Sequence, residues 1–162
     1  MASVISLMAT RVCPDGLNHQ LSAARALAAQ EHGSVAKRFA ATALARLSTD
    51  HEATQLAIAE AGAIAPLVLL LDGSEGTEAQ TESAGALHAL ASNEHNRLAI
   101  TECDGIGLIT NVLACDNERA RKLAEGALVR LSIEHANRAL IIKKLVEMLQ
   151  NPDALLGQEQ AC

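Results

Sequence analysis

Residues 56–71 read LAIAEAGAIAPLVLLL, and after a break at Asp72-Gly73-Ser74-Glu75-Gly76 the chain continues TEAQTESAGALHALA from Thr77 to Ala91. Three helices are written in this stretch. The first, about Glu52 to Ala61, puts Leu56, Ile58 and Ala59 on overlapping faces and stops at Gly62, which enters the left-handed cap conformation without steric cost. A second short helix, about Ala65 to Leu71, carries Pro66 in its first turn, where the missing N–H has no helical partner to lose. The third opens with Thr77-Glu78-Ala79-Gln80, which has the capping-box form, and sets Ser83, Ala86, Leu87 and Leu90 at i, i+3, i+4 and i+7. That spacing makes one apolar stripe.

The same plan recurs on both sides. ALARL at Ala43–Leu47 returns as ALHAL at Ala86–Leu90 and ALVRL at Ala127–Leu131, while LAITECDGIGLITNVL from Leu98 to Leu113 repeats the glycine-cornered segment, with Gly105 in the place of Gly62. Two independent landmarks thus share a period near 42, within the roughly 40 to 47 residues of two- or three-helix solenoid repeats. The next unit is expected as helices at about Asn93 to Cys103, Ile106 to Cys115 and Asn117 to Ser132. Upstream, Leu17 to Gln30 and Ser34 to Ser48 fit a first repeat cornered at Gly16. Downstream, EHANR at Glu134–Arg138 starts a fourth copy like NEHNR at Asn93–Arg97, then loses about four residues including the glycine, so one continuous helix is expected to about Gln150. The expected organisation is a single domain over 1–150, with repeats at about 2–50, 51–92, 93–133 and a partial one at 134–150. Pro152 ends the last helix and 151–162 is expected to be a tail.

A single three-helix unit cannot cover its own apolar face, so units must stack and share a core. With no Trp, no Tyr, one Phe and thirty-two alanines, that core is aliphatic. Alanines such as Ala40, Ala43, Ala84, Ala86, Ala124 and Ala127 let helix axes come close, and Leu44, Leu87 and Leu128 supply burial worth roughly 1.5 to 3 kcal/mol each. Aromatic stacking platforms are ruled out, and a net charge of -6 offers no general attraction to phosphate, so nucleic acid is not the expected partner. No uncharged run in the middle of the chain approaches the roughly 20 residues of a membrane span. No basic region precedes the apolar residues near the N-terminus, so no secretory signal is read there and the cytoplasm is the expected compartment. Arg11 and Arg25 against Asp15 alone give the first thirty residues a faint likeness to an organelle transit sequence. Cys13, Cys103, Cys115 and Cys162 lack metal or redox spacing and read as free thiols, and the six histidines are dispersed, with His95 and His135 recurring as inherited pattern. No catalytic set, metal site or cofactor motif emerges, so no enzyme is expected.

Glycine corner, proline, double-leucine helix and ALxxL helix occur in order at this period, and over about Gly16 to Gln150 the chain resembles the armadillo repeat family. The resemblance implies an all-α, right-handed solenoid of about three repeats plus a partial fourth, whose third helices line a concave groove that binds other proteins. In members that hold basic nuclear-import peptides, the third helix carries Trp and Asn four residues apart. The matching positions here are Thr42 and Arg46, Gly85 and Ala89, Gly126 and Arg130, so both residue types are missing and an import-adaptor role is not expected. One turn back, the same face adds Arg38, Thr81 and Lys122. Four of these nine positions are basic and none is acidic, which favours an acidic or helical segment of a partner protein. The plainer reading is a solvated face whose cations pair with Glu82, Glu118 and Glu125. Gly85 and Gly126 either leave room for a partner or let successive third helices pack tightly. The competing expectation for the whole chain is a scaffold subunit, or a piece of a longer array, docked through its end faces in a larger complex.

Overall fold

The computed structural model describes residues 34–49 and 51–150. The expected first-repeat helix at Leu17 to Gln30, its corner Gly16, the tail, Cys13 and Cys162 lie outside them. Eight α-helices fill the described residues and no strand occurs among them: α1 (Ser34–Leu47), α2 (Glu52–Glu60), α3 (Ile64–Leu69), α4 (Thr77–Leu90), α5 (Glu94–Glu102), α6 (Gly105–Val112), α7 (Glu118–Leu131) and α8 (His135–Gln150). A 3-10 turn at Leu70–Asp72 extends α3. The architecture is an all-α solenoid. Two units of three helices, α2–α3–α4 and α5–α6–α7, follow α1, which occupies the third-helix place of the unit before them. The third helices stack in order, α1 on α4 and α4 on α7.

Burial follows the sequence pattern. Leu44, Leu87 and Leu128 are buried at equivalent places, and Ala84, Ala86, Ala124 and Ala127 are fully covered where the stacked helices meet. Ile58, Leu67, Leu71, Ile100, Ile106 and Ile109 fill the space between the short helices and the third ones. Each repeat is then locked to the one before it through backbone carbonyls left over at the end of a third helix. Gln55 Nε2 donates to the Ser48 carbonyl, Arg97 Nη1 to those of Ala91 and Ser92, and Arg138 to those of Ser132 and Ile133. One repeat position thus always carries a donor aimed at the preceding helix end. Arg97, buried at 7% exposure, is further held by Glu134 at 2.8 Å.

The corners differ from expectation in one place. Gly62 is left-handed, φ 81°, and the chain turns by 86° between α2 and the α3 segment. In the next repeat the left-handed residue is Asp104, φ 57°, not Gly105. Aspartate is among the few residues that tolerate this conformation. Gly105 instead opens α6, and a β-carbon there would lie 2.6 Å from the Ile100 carbonyl oxygen, so this glycine is needed for close approach rather than for its torsion.

Helix starts differ too. Thr77 and Gln80 do not form a capping box: Gly76 is the N-cap, with φ 97° and no side-chain cap, and Gln80 Nε2 donates to the Leu71 carbonyl at 2.8 Å. The side-chain caps are Asn93 and Asn117, whose Oδ1 atoms accept from the N–H groups of His95 and Asn96 and of Arg119 and Ala120. With no corner residue left to interrupt it, α8 runs unbroken for 16 residues. Among the described residues no single helix is long and apolar enough to cross a membrane.

Candidate functional site

The nine positions marked by sequence fall on α1, α4 and α7, as three turns of each. At the start of the stripe the charges are matched. Arg38 pairs with Glu78 across the α1–α4 junction, and Lys122 pairs with Glu118 one turn before it at 2.6 Å. Glu118 is among the carboxylates the sequence offers as partners of these cations; Glu78 is not, and Glu82 pairs instead with Arg119 at 2.8 Å. Exposed pairs of this kind are worth little, but they cancel charge.

The middle of the stripe is closed packing. Thr42 Oγ1 donates to the Arg38 carbonyl of its own helix. Thr81 is 3% exposed, donates to the Thr77 carbonyl, and accepts from Asn117 Nδ2 at 3.0 Å, so it holds the cap of α7 rather than facing outward. Gly85 faces Leu123 of α7 and Ala45 of α1; a β-carbon on it would sit 3.5 Å and 3.8 Å from them. At Gly126 the neighbour is the His88 ring, and a β-carbon there would come within 2.5 Å of it. Tight packing of successive third helices thus requires glycine at Gly126, whereas at Gly85 a β-carbon would meet its neighbours at ordinary contact distance.

At the end of the stripe the charges are not matched. Ala89 is buried. Arg130 donates through Nη1 to the backbone carbonyl of His88, a neutral acceptor, and keeps its full charge. Arg46 is exposed at the same repeat position on α1 and has no hydrogen-bond or carboxylate partner for its side chain among the described residues. Among the described residues, Arg46 and Arg130 are therefore two guanidinium groups, two repeats apart, with no ion pair to a carboxylate. The helix carbonyls that converge on the same end carry partial negative charge and offset part of the arginines' positive field within the last turn.

His88 was not among the residues singled out by sequence. It fills the position of Ala45 in the previous repeat and sits half-buried between α4 and α7, its Nδ1 buried without a hydrogen-bond partner. Burial first, and the Arg130 guanidinium second, hold its imidazole below the usual histidine value, against an opposing contribution from the Gly126 backbone. A histidine opposite a glycine one repeat away was the available signal. Cys103 and Cys115 are free thiols. No cluster of three His, Cys, Asp or Glu side chains able to hold a metal occurs among the described residues.

With this geometry in view, residues 50–92 match the armadillo/beta-catenin-like repeat. No curated protein matches the chain. Solved structures do. The crystal structure of an engineered protein superposes with a TM-score of 0.70 at 25% identity, over 88% of this chain and 59% of that one. A computationally designed armadillo repeat protein for modular peptide recognition gives a TM-score of 0.64 at 21% identity, over 78% and 56%. A designed armadillo repeat protein in complex with the peptide (KR)4 gives 0.64 at 20% identity, over 87% and 61%. The chain spans less than two thirds of the length of each.

Proposed function

We propose that this chain, which carries an armadillo/beta-catenin-like repeat over residues 50–92, is a non-enzymatic protein-binding module that receives an acidic or helical segment of a partner along the face shared by α1, α4 and α7. The observation that supports the reading is the pair of guanidinium groups, Arg46 and Arg130, that have no carboxylate partner among the described residues while Arg38 and Lys122 are matched. A ligand's acid placed at the C-terminal end of the third helices meets two full guanidinium charges, which outweigh the partial negative charge of the helix carbonyls there. A designed neighbour of the same fold holds a peptide of lysine and arginine. Here the two unmatched arginines oppose such a peptide by like-charge repulsion and favour the opposite sign.

The test uses two labelled peptides of one length, one rich in glutamate and one rich in lysine, followed by fluorescence anisotropy at low and moderate salt. The acidic peptide is expected to bind and the basic one not, with affinity falling as salt rises. Replacing both arginines, R46E with R130E, is expected to weaken acidic-peptide binding by at least about tenfold, the scale of losing charged contacts worth about 1.4 kcal/mol together. Equal binding of both peptides, or indifference to the double substitution, overturns the proposal.

A further inference from the structure

Each junction between repeats has a leading half and a trailing half, and both halves recur by register. On the trailing side, α4 offers His88 and its carbonyl; on the leading side, α7 answers with Gly126 under the ring, Arg130 on the carbonyl, and Leu123 against Gly85. One repeat earlier, Ala45 of α1 meets Gly85 of α4. Carried one step forward, the trailing half on α7 is Val129 with its carbonyl, and nothing among the described residues stacks on it: Val129 is 63% exposed. Carried one step back, the leading half on α1 is Phe39, Thr42 and Arg46, in the places of Leu123, Gly126 and Arg130. Phe39 is 61% exposed, as is Val35 one turn before it at 58%. The described residues thus present one exposed half-junction on α1 and one on α7, and the two are halves of the same joint.

We propose that the α7 end face docks the α1 face of a second copy of this chain, head to tail. In that joint Thr42 of the second copy lies over Val129, its Arg46 reaches the Val129 carbonyl as Arg130 reaches that of His88, and its Phe39 covers the ground that Leu123 covers inside the chain. Charge supports the match. Glu125 stands exposed where earlier repeats bury Ala41 and Ala84, and an incoming arginine beside it supplies the countercharge. On α8, Ile142, Val146 and Leu149 are exposed as well, at i, i+4 and i+7 on one face of the helix. A contact of this kind is heterologous and does not close on itself, so it generates open chains of copies rather than one fixed oligomer.

Sedimentation velocity of the full chain over a hundredfold concentration range tests it without any partner present. The expected result is a sedimentation coefficient that climbs with concentration from the 16.9 kDa single chain. V129E, at a site too exposed to damage the fold, is expected to hold the protein at the single-chain value with its melting temperature unchanged. R46E should do the same, because a carboxylate cannot donate to the Val129 carbonyl and is repelled by Glu125. A single chain at every concentration, or a climb that V129E leaves intact, overturns the joint. Peptide binding is read on V129Q, a second joint variant that adds no charge beside Arg130, and is expected to match the parent, so failure of the joint and failure of the peptide-binding reading are seen separately.

Discussion

At the scale of single residues, the two glycines inside third helices look alike in sequence and are not alike in space. Glycine in a helix interior costs about 1 kcal/mol relative to alanine. At Gly85 a β-carbon meets only ordinary contacts, so G85A is expected to stabilise the protein by up to about 1 kcal/mol. At Gly126 the same atom collides with the His88 ring, and G126A is expected to destabilise by about 1 to 3 kcal/mol despite the better helix propensity. Urea unfolding of the two variants checks both signs, and G126A combined with H88A should recover most of the loss. The sequence showed that these positions were special, since glycine recurred at one repeat place. It could not say what each faced, because the answer lies 38 residues away in one case and is a histidine no motif distinguished.

Among the helices, the third helices and their leucines were legible because a period near 42 overrides local ambiguity: three copies of ALxxL cannot all be accidental. Helix starts were less legible, because capping depends on which residue the fold sets just outside the first turn. Thr77 looked like a cap and is the first helical residue, since the glycine before it already makes the turn. Asn93 and Asn117 do the work instead. N93A is therefore expected to cost about 1 kcal/mol or more, as a lost cap, whereas T77A should stay within about 0.5 kcal/mol. Thermal melts of the two variants side by side decide it. The left-handed corner at Asp104 escaped notice for a related reason: glycine stood next to it and drew the reading, though that glycine serves close approach to Ile100.

For the molecule as a whole, stability is a property of the stack, and one junction in it is sensitive to acid. His88 between α4 and α7 has its folded-state value held below that of the unfolded chain, about 6.5. Below that value the unfolded state binds more protons, so the His88 contribution falls as pH drops from about 6.5 through the lowered folded value. The expected outcome is a melting temperature that declines between pH 7 and 5, with part of the decline absent in H88Q. What the sequence could not convey at this scale was which cations remain unmatched. It offered Glu118 as a partner without saying which cation takes it, and it gave no sign that Arg38 pairs with Glu78.

Both capping asparagines do a second job. Asn93 Nδ2 donates to Glu52, 41 residues earlier, and Asn117 Nδ2 to Thr81, 36 residues earlier. The residue that begins a helix is thus itself fastened to the unit made before it. As such a chain leaves the ribosome, each newly synthesised repeat finds its starting point already laid down on its predecessor, and growth of the folded array can keep pace with translation in the direction of synthesis.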